Sequence, residues 1–112
     1  MGIECIEAAV AALQQAGIRA QRGYPAGKMP YLTDPVAGVY IQEAQADSIT
    51  VAARICAPMN RGGTACEDAA ILAAQALEGI GGRYQIQSCG FDGKAGLFCQ
   101  TVLATFTQTV TE

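Results

Sequence analysis

With 112 residues the chain has room for one domain, 1–112, of the ordinary size of about 100 to 200 residues. Half of it is apolar, much of that Ala, with three Phe, four Tyr and no Trp, so a core of small side chains in close layers is expected, and packing against further copies is one route to added stability. A net charge of −3 with scattered Lys and Arg offers no basic stripe for sequence-specific nucleic-acid binding, and the absence of His excludes Cys2His2 zinc sites, Cys-His pairs and Ser-His-Asp triads.

Residues 3–16 place Ile3, Ile6, Val10 and Leu13 at three- and four-residue spacing, with Ala8, Ala9, Ala12 and Ala16 in the turns. This is the period of an amphipathic helix, and Gly17 is placed to end it. The N-terminus carries Glu4 and Glu7 where a signal peptide has basic residues, and no run reaches the roughly 18 apolar residues of a membrane span. No membrane partner is expected, and the chain is read as cytoplasmic. Residues 18–22 alternate Ile18, Ala20 and Arg22 against Arg19 and Gln21, as a strand at a sheet edge does.

Residues 23–35, GYPAGKMPYLTDP, hold three of the four prolines and read as one long Pro-rich loop. Tyr24, Tyr31, Met29 and Leu32 make it stickier than a linker needs to be. Either it folds over its own core or it reaches a partner.

From Gly38 the period becomes two. Val39 and Ile41 alternate with Tyr40 and Gln42, then Ile49, Val51, Ala53 and Ile55 alternate with Thr50, Ala52, Arg54 and Cys56. A polar turn around Ala46, Asp47 and Ser48 makes the two an antiparallel hairpin, with Ile49, Val51, Ala53 and Ile55 toward the core. The spacing of Thr64 and Glu67 predicts a capping box opening a second helix, with Asp68 favourable near its positive end. Ala69, Ala70, Ala73, Ala74, Leu77 and Ile80 form its inward face, and Gly79, Gly81 and Gly82 end it. Tyr84–Cys89 and Leu97–Thr109 read as a second hairpin closed by the glycine-rich turn GFDGKAG.

The turn NRGGTACEDAA, residues 60–70, is the one stretch with potential for chemistry. Free N–H groups after Gly62 and Gly63, beside Arg61, suit an anion, but the Walker pattern is absent and Glu67 and Asp68 oppose negative charge there. A plain strand-to-helix connection is the preferred reading. Cys66 is the best candidate for a reactive thiol, because a helix start lowers a thiol pKa; its acidic neighbours and the lack of a base favour a small buried side chain instead. Cys89 and Cys99 flank the last turn and are placed to face each other across it as reduced thiols. Five cysteines without CxxC pairs fit a reducing compartment, and no metal or cofactor is implied. The Glu4/Glu7 and Glu67/Asp68 pairs are explained as solvated helix starts.

The order helix, strand, long loop, hairpin, helix, hairpin resembles the tail-terminator and head-tail joining proteins of long-tailed phages and prophages. The likeness spans nearly the whole chain: the first helix, the passage RAQRGYPAGKMPYLTDPVAGVYIQEA, the strand, glycine turn and helix of SITVAARICAPMNRGGTACEDAAILAAQAL, and the closing strands. It implies an α+β two-layer sandwich, a small mainly antiparallel sheet with two helices packed on it in the order α-β-β-β-α-β-β. It also implies a non-enzymatic virion-assembly protein, a homo-oligomeric ring, commonly a hexamer, that caps the tail tube, meets the head-side connector and ends in the virion tail. On that reading Tyr24, Lys28, Met29 and Tyr31 of the loop are candidates to reach a neighbouring copy, and Arg54 and Arg61 to pair with acids across subunits or face a lumen. The alternative is a small cytosolic enzyme or ligand-binding domain that uses the 61–68 turn as an anion or thiol site.

Overall fold

The computed structural model describes residues 2–23, 35–58, 62–93 and 96–107. Within them the chain forms α1 (Gly2–Gln15), β1 (Arg19–Arg22), β2 (Val36–Ala44), β3 (Ser48–Pro58), α2 (Gly62–Gly79), β4 (Arg83–Ile86), β5 (Gly90–Asp92) and β6 (Leu97–Thr107). Both helices lie on one side of a six-stranded sheet ordered β1-β2-β3-β6-β4, with β5 also paired to β6. The expected α+β two-layer arrangement is therefore present. One strand more than expected is found, because Gly90–Asp92, expected inside the closing turn, pairs with Leu97–Cys99.

Each helix ends in the same way. The Ile18 N–H donates to the Leu13 carbonyl and the Gly17 N–H to that of Gln14; Gly82 and Gly81 repeat the pattern on Leu77 and Glu78. This double closure needs a left-handed residue at its turning point. Gly17 (φ 90°) and Gly81 (φ 98°) supply it without the steric cost a Cβ would add. In α1 the spacing puts Ile6, Ala9 and Leu13 into the core, but Ile3, in the first turn, is 58% exposed. In α2 the inward face is Ala69, Ala70, Ala73, Ala74 and Leu77 as expected; Ile80, past the helix end, is exposed.

The start of α2 differs from expectation. Its first helical residue is Gly62, so Thr64 sits inside the first turn and cannot be the cap of a box with Glu67. Glu67 and Asp68 consequently fall in the second turn, where a helix dipole acts weakly.

The β2–β3 hairpin forms with a register shift between Ile41 and Glu43. Ile49, Val51, Ala53 and Ile55 point at the helices and are buried, meeting Val102 and Ala104 of β6 and Val39 of β2 in one core. β1 is an edge strand and runs parallel to β2, with Arg19 opposite Val36. Two successive parallel strands start at the same end of the sheet, so the chain must travel back between them. β4 is shorter than the expected Tyr84–Cys89, and β6 is described as far as Thr107; the remainder of the expected final strand lies outside the described residues.

Candidate functional site

The strand alternation that sends Ile55 toward the helices sends Arg54 and Cys56 to the opposite, helix-free face of the sheet. There β3 lies against β6 with Arg54 opposite Thr101 and Cys56 opposite Cys99. Cys99 Sγ is 3.6 Å from Cys56 Sγ, and Arg54 Nη2 donates to Cys99 Sγ at 3.5 Å. Further along the same face the Thr50 and Thr105 hydroxyls meet at 3.0 Å. Contact with Cys99 first, and with Cys56 second, raises the Arg54 pKa, so the guanidinium stays charged. Burial, followed by the Cys99 neighbour, pushes the Cys56 thiol up to about 11.

The expected cross-turn meeting of Cys89 and Cys99 does not occur. Cys99 lies opposite Cys56 on one side and Gly90 on the other, so Cys89 falls one residue out of register. Cys89 adjoins Cys66 instead, on the helix side of the sheet. Cys66 is fully buried, its S–H within reach of the Phe98 and Ile55 carbonyls at 3.6 and 3.8 Å. Burial first, then Cys89, pushes its thiol up to about 12. It is thus held as a neutral, small apolar side chain, the reading preferred from the sequence. Nearby in register, Gln100 lies opposite Ile55 and is buried; its Nε2 donates to the Gln87 carbonyl at 2.7 Å while Oε1 has no protein partner among the described residues.

Beside the first half of α2 runs an open cleft of about 370 Å³, lined by Ile18, Arg19, Pro35, Ala65, Asp68 and Leu72 among others. It is shallow and carries one acid and one base. Among the described residues no group of three or more His, Cys, Asp or Glu is placed to hold a metal ion, and no helix is long and apolar enough to cross a membrane.

Of the residues singled out from the sequence as an interface, Arg54 alone is described, and it is turned into the thiol pair. Tyr24, Lys28, Met29, Tyr31 and Arg61 lie outside the described residues. What sequence reasoning missed is the apolar edge beside β6. Tyr84 of β4 and Phe91 of β5 are 46% and 53% exposed, both on the β4/β5 side of the sheet. Phe91 stands 5.1 Å from Phe98, centroid to centroid and tilted by 56°. A signal existed in the aromatic residues on a short strand next to glycines, but periodicity does not tell which strand ends a sheet.

No protein-family model matches the chain, and no curated protein is significantly similar to it in sequence.

Proposed function

We propose that this chain is a structural assembly protein of the tail-terminator or head-tail joining kind, acting as a ring of identical copies between a phage tail tube and its head-side connector. The observation that carries the reading is the unlikeness of the two sheet edges. At one side β1 presents the exposed Arg19 and Arg22; at the other, β4 and β5 present exposed Tyr84 and Phe91. Edge strands are templates for pairing with another chain. A contact between two unlike edges is head-to-tail, and a head-to-tail contact closes into a ring where its rotation allows. The small alanine-lined core supports the same reading, since a chain of this size gains stability by burying edges against copies of itself. Such a protein works in the cytoplasm during assembly and ends in the virion tail.

The test is the mass of the purified protein in solution across a wide concentration range, by light scattering and sedimentation, with electron microscopy of the largest species. Closed rings of one size are expected. A strict monomer at every concentration, alone and with tail-tube subunits added, would overturn the proposal.

A further inference from the structure

The helix-free face of the sheet holds two thiols that an assembly role does not require. Cys56 and Cys99 are register partners on the two central strands, with sulfurs 3.6 Å apart. The backbone explains why they are so close. From the β4 side, the Gln87 N–H donates to the Thr101 carbonyl at 2.9 Å, so the Thr101 backbone groups point away from β3. In an antiparallel ladder those of Cys99, two residues earlier, point the same way. Cys56 and Cys99 are therefore a non-hydrogen-bonded pair, the kind whose Cα atoms are about 4.5 Å apart and whose side chains approach most closely. That spacing falls within the range of about 4.4–6.8 Å that a disulfide spans.

The two thiols differ in access. Cys56 is 3% exposed, whereas Cys99 is half-buried and carries the Arg54 guanidinium on its sulfur. The guanidinium therefore borders the sulfur that an incoming molecule would meet first.

We propose that Cys56 and Cys99 form a thiol-modification site, which a small disulfide of the glutathione class oxidises to a cross-strand disulfide. Cys99 acts first, as the reachable sulfur: its thiolate attacks one sulfur of the small disulfide, forming a mixed disulfide and expelling one glutathione thiolate. That thiolate takes the Cys56 proton. Cys56 sulfur then attacks Cys99 Sγ, the bond from Cys99 to glutathione breaks, and the second glutathione leaves as thiolate, to be protonated by water. Two protein thiols are oxidised and one small disulfide is reduced to two thiols. The bond ties the central strands β3 and β6 and encloses α2 in the loop between them.

The experiment uses the full-length reduced protein with oxidised glutathione near neutral pH, followed by alkylation and non-reduced peptide mapping. Expected is one intramolecular cross-link, Cys56 to Cys99, with a mass lower by two hydrogens and full reversal by dithiothreitol. Cys56→Ala should stop at a glutathione adduct on Cys99. Arg54→Gln should slow the first step by about three- to tenfold, the loss of a cation beside the sulfur. The proposal is overturned if the wild type stops at an adduct on Cys99, if both thiols stay free after Cys89 has reacted, or if the bond joins other cysteines or separate molecules.

Discussion

A methyl group added at Gly82 would stand 2.8 Å from Phe106 Cζ and 3.0 Å from the Leu77 carbonyl oxygen. The ring has some freedom to move, but the carbonyl does not, because it already accepts the Gly82 N–H that closes α2. Gly82→Ala is therefore expected to lower unfolding stability by about 1–3 kcal/mol, the usual cost of overpacking, as measured by urea denaturation. A second residue-scale expectation concerns pH. Cys66 and Cys56 have folded-state pKa values raised to about 12 and about 11 from 9.0, chiefly by burial. The native state thus keeps protons that the unfolded chain releases. Their contribution is complete below pH 9 and is lost as pH rises toward the folded values, so stability should fall between about pH 9 and 12. Denaturation midpoints across that range should show it, and Cys66→Ala should flatten the slope. An unchanged slope in that variant would mean the thiol is solvated in the native protein.

Elements were legible where the information is local. Leu13 and Gly17, and Leu77 and Gly81, announce helix ends because the closing hydrogen bonds span only five residues. The β2–β3 hairpin was legible for the same reason, a period of two interrupted by one polar turn. The partner of β3 on its other side was not. Alternation fixes which face Arg54 and Cys56 share, but β6 arrives after a whole helix, and nothing in a period of two says that Cys99 lands opposite Cys56. The parallel pairing of β1 with β2 was hidden similarly, because residues 23–35 separate the two strands in sequence. Of the candidate interface residues Arg54 alone is described, and its contact is with the thiols of its own sheet. One local signal misled. Thr64 and Glu67 have the spacing of a capping box, yet α2 starts two residues earlier at Gly62, a residue whose low helix propensity argued against it. The two arrangements differ in a measurable way. If Thr64 capped the helix, Thr64→Ala would cost about 1 kcal/mol. Exposed and inside the first turn, it should instead change stability by less than about 0.5 kcal/mol in the same urea titration.

At the scale of the whole molecule the question is what the unlike edges do. The β4/β5 edge leaves Tyr84 and Phe91 in water, two of the seven large apolar side chains exposed among the described residues. Ile71 and Leu72, on the outer side of α2, are the nearest thing to a second patch, but they sit among Glu67, Asp68, Gln75 and Glu78 on a helix that offers no backbone groups for pairing. A strand edge offers both apolar side chains and a ladder of N–H and C=O groups, which is why the proposed contact between copies is placed there. Burying one aromatic side chain at such a contact contributes about 1.5–3 kcal/mol, so introducing a charge in its place should raise the assembly midpoint concentration by at least about tenfold. Phe91→Asp tests this but also removes the packing on Phe98, so Tyr84→Asp is the cleaner variant, the pair being compared at equal thermal stability. Both should sediment as monomers at concentrations where the wild type forms rings, while Ile71→Asp should assemble normally. If Tyr84→Asp and Phe91→Asp assemble like the wild type and Ile71→Asp does not, the contact lies on α2 and the edge has another use.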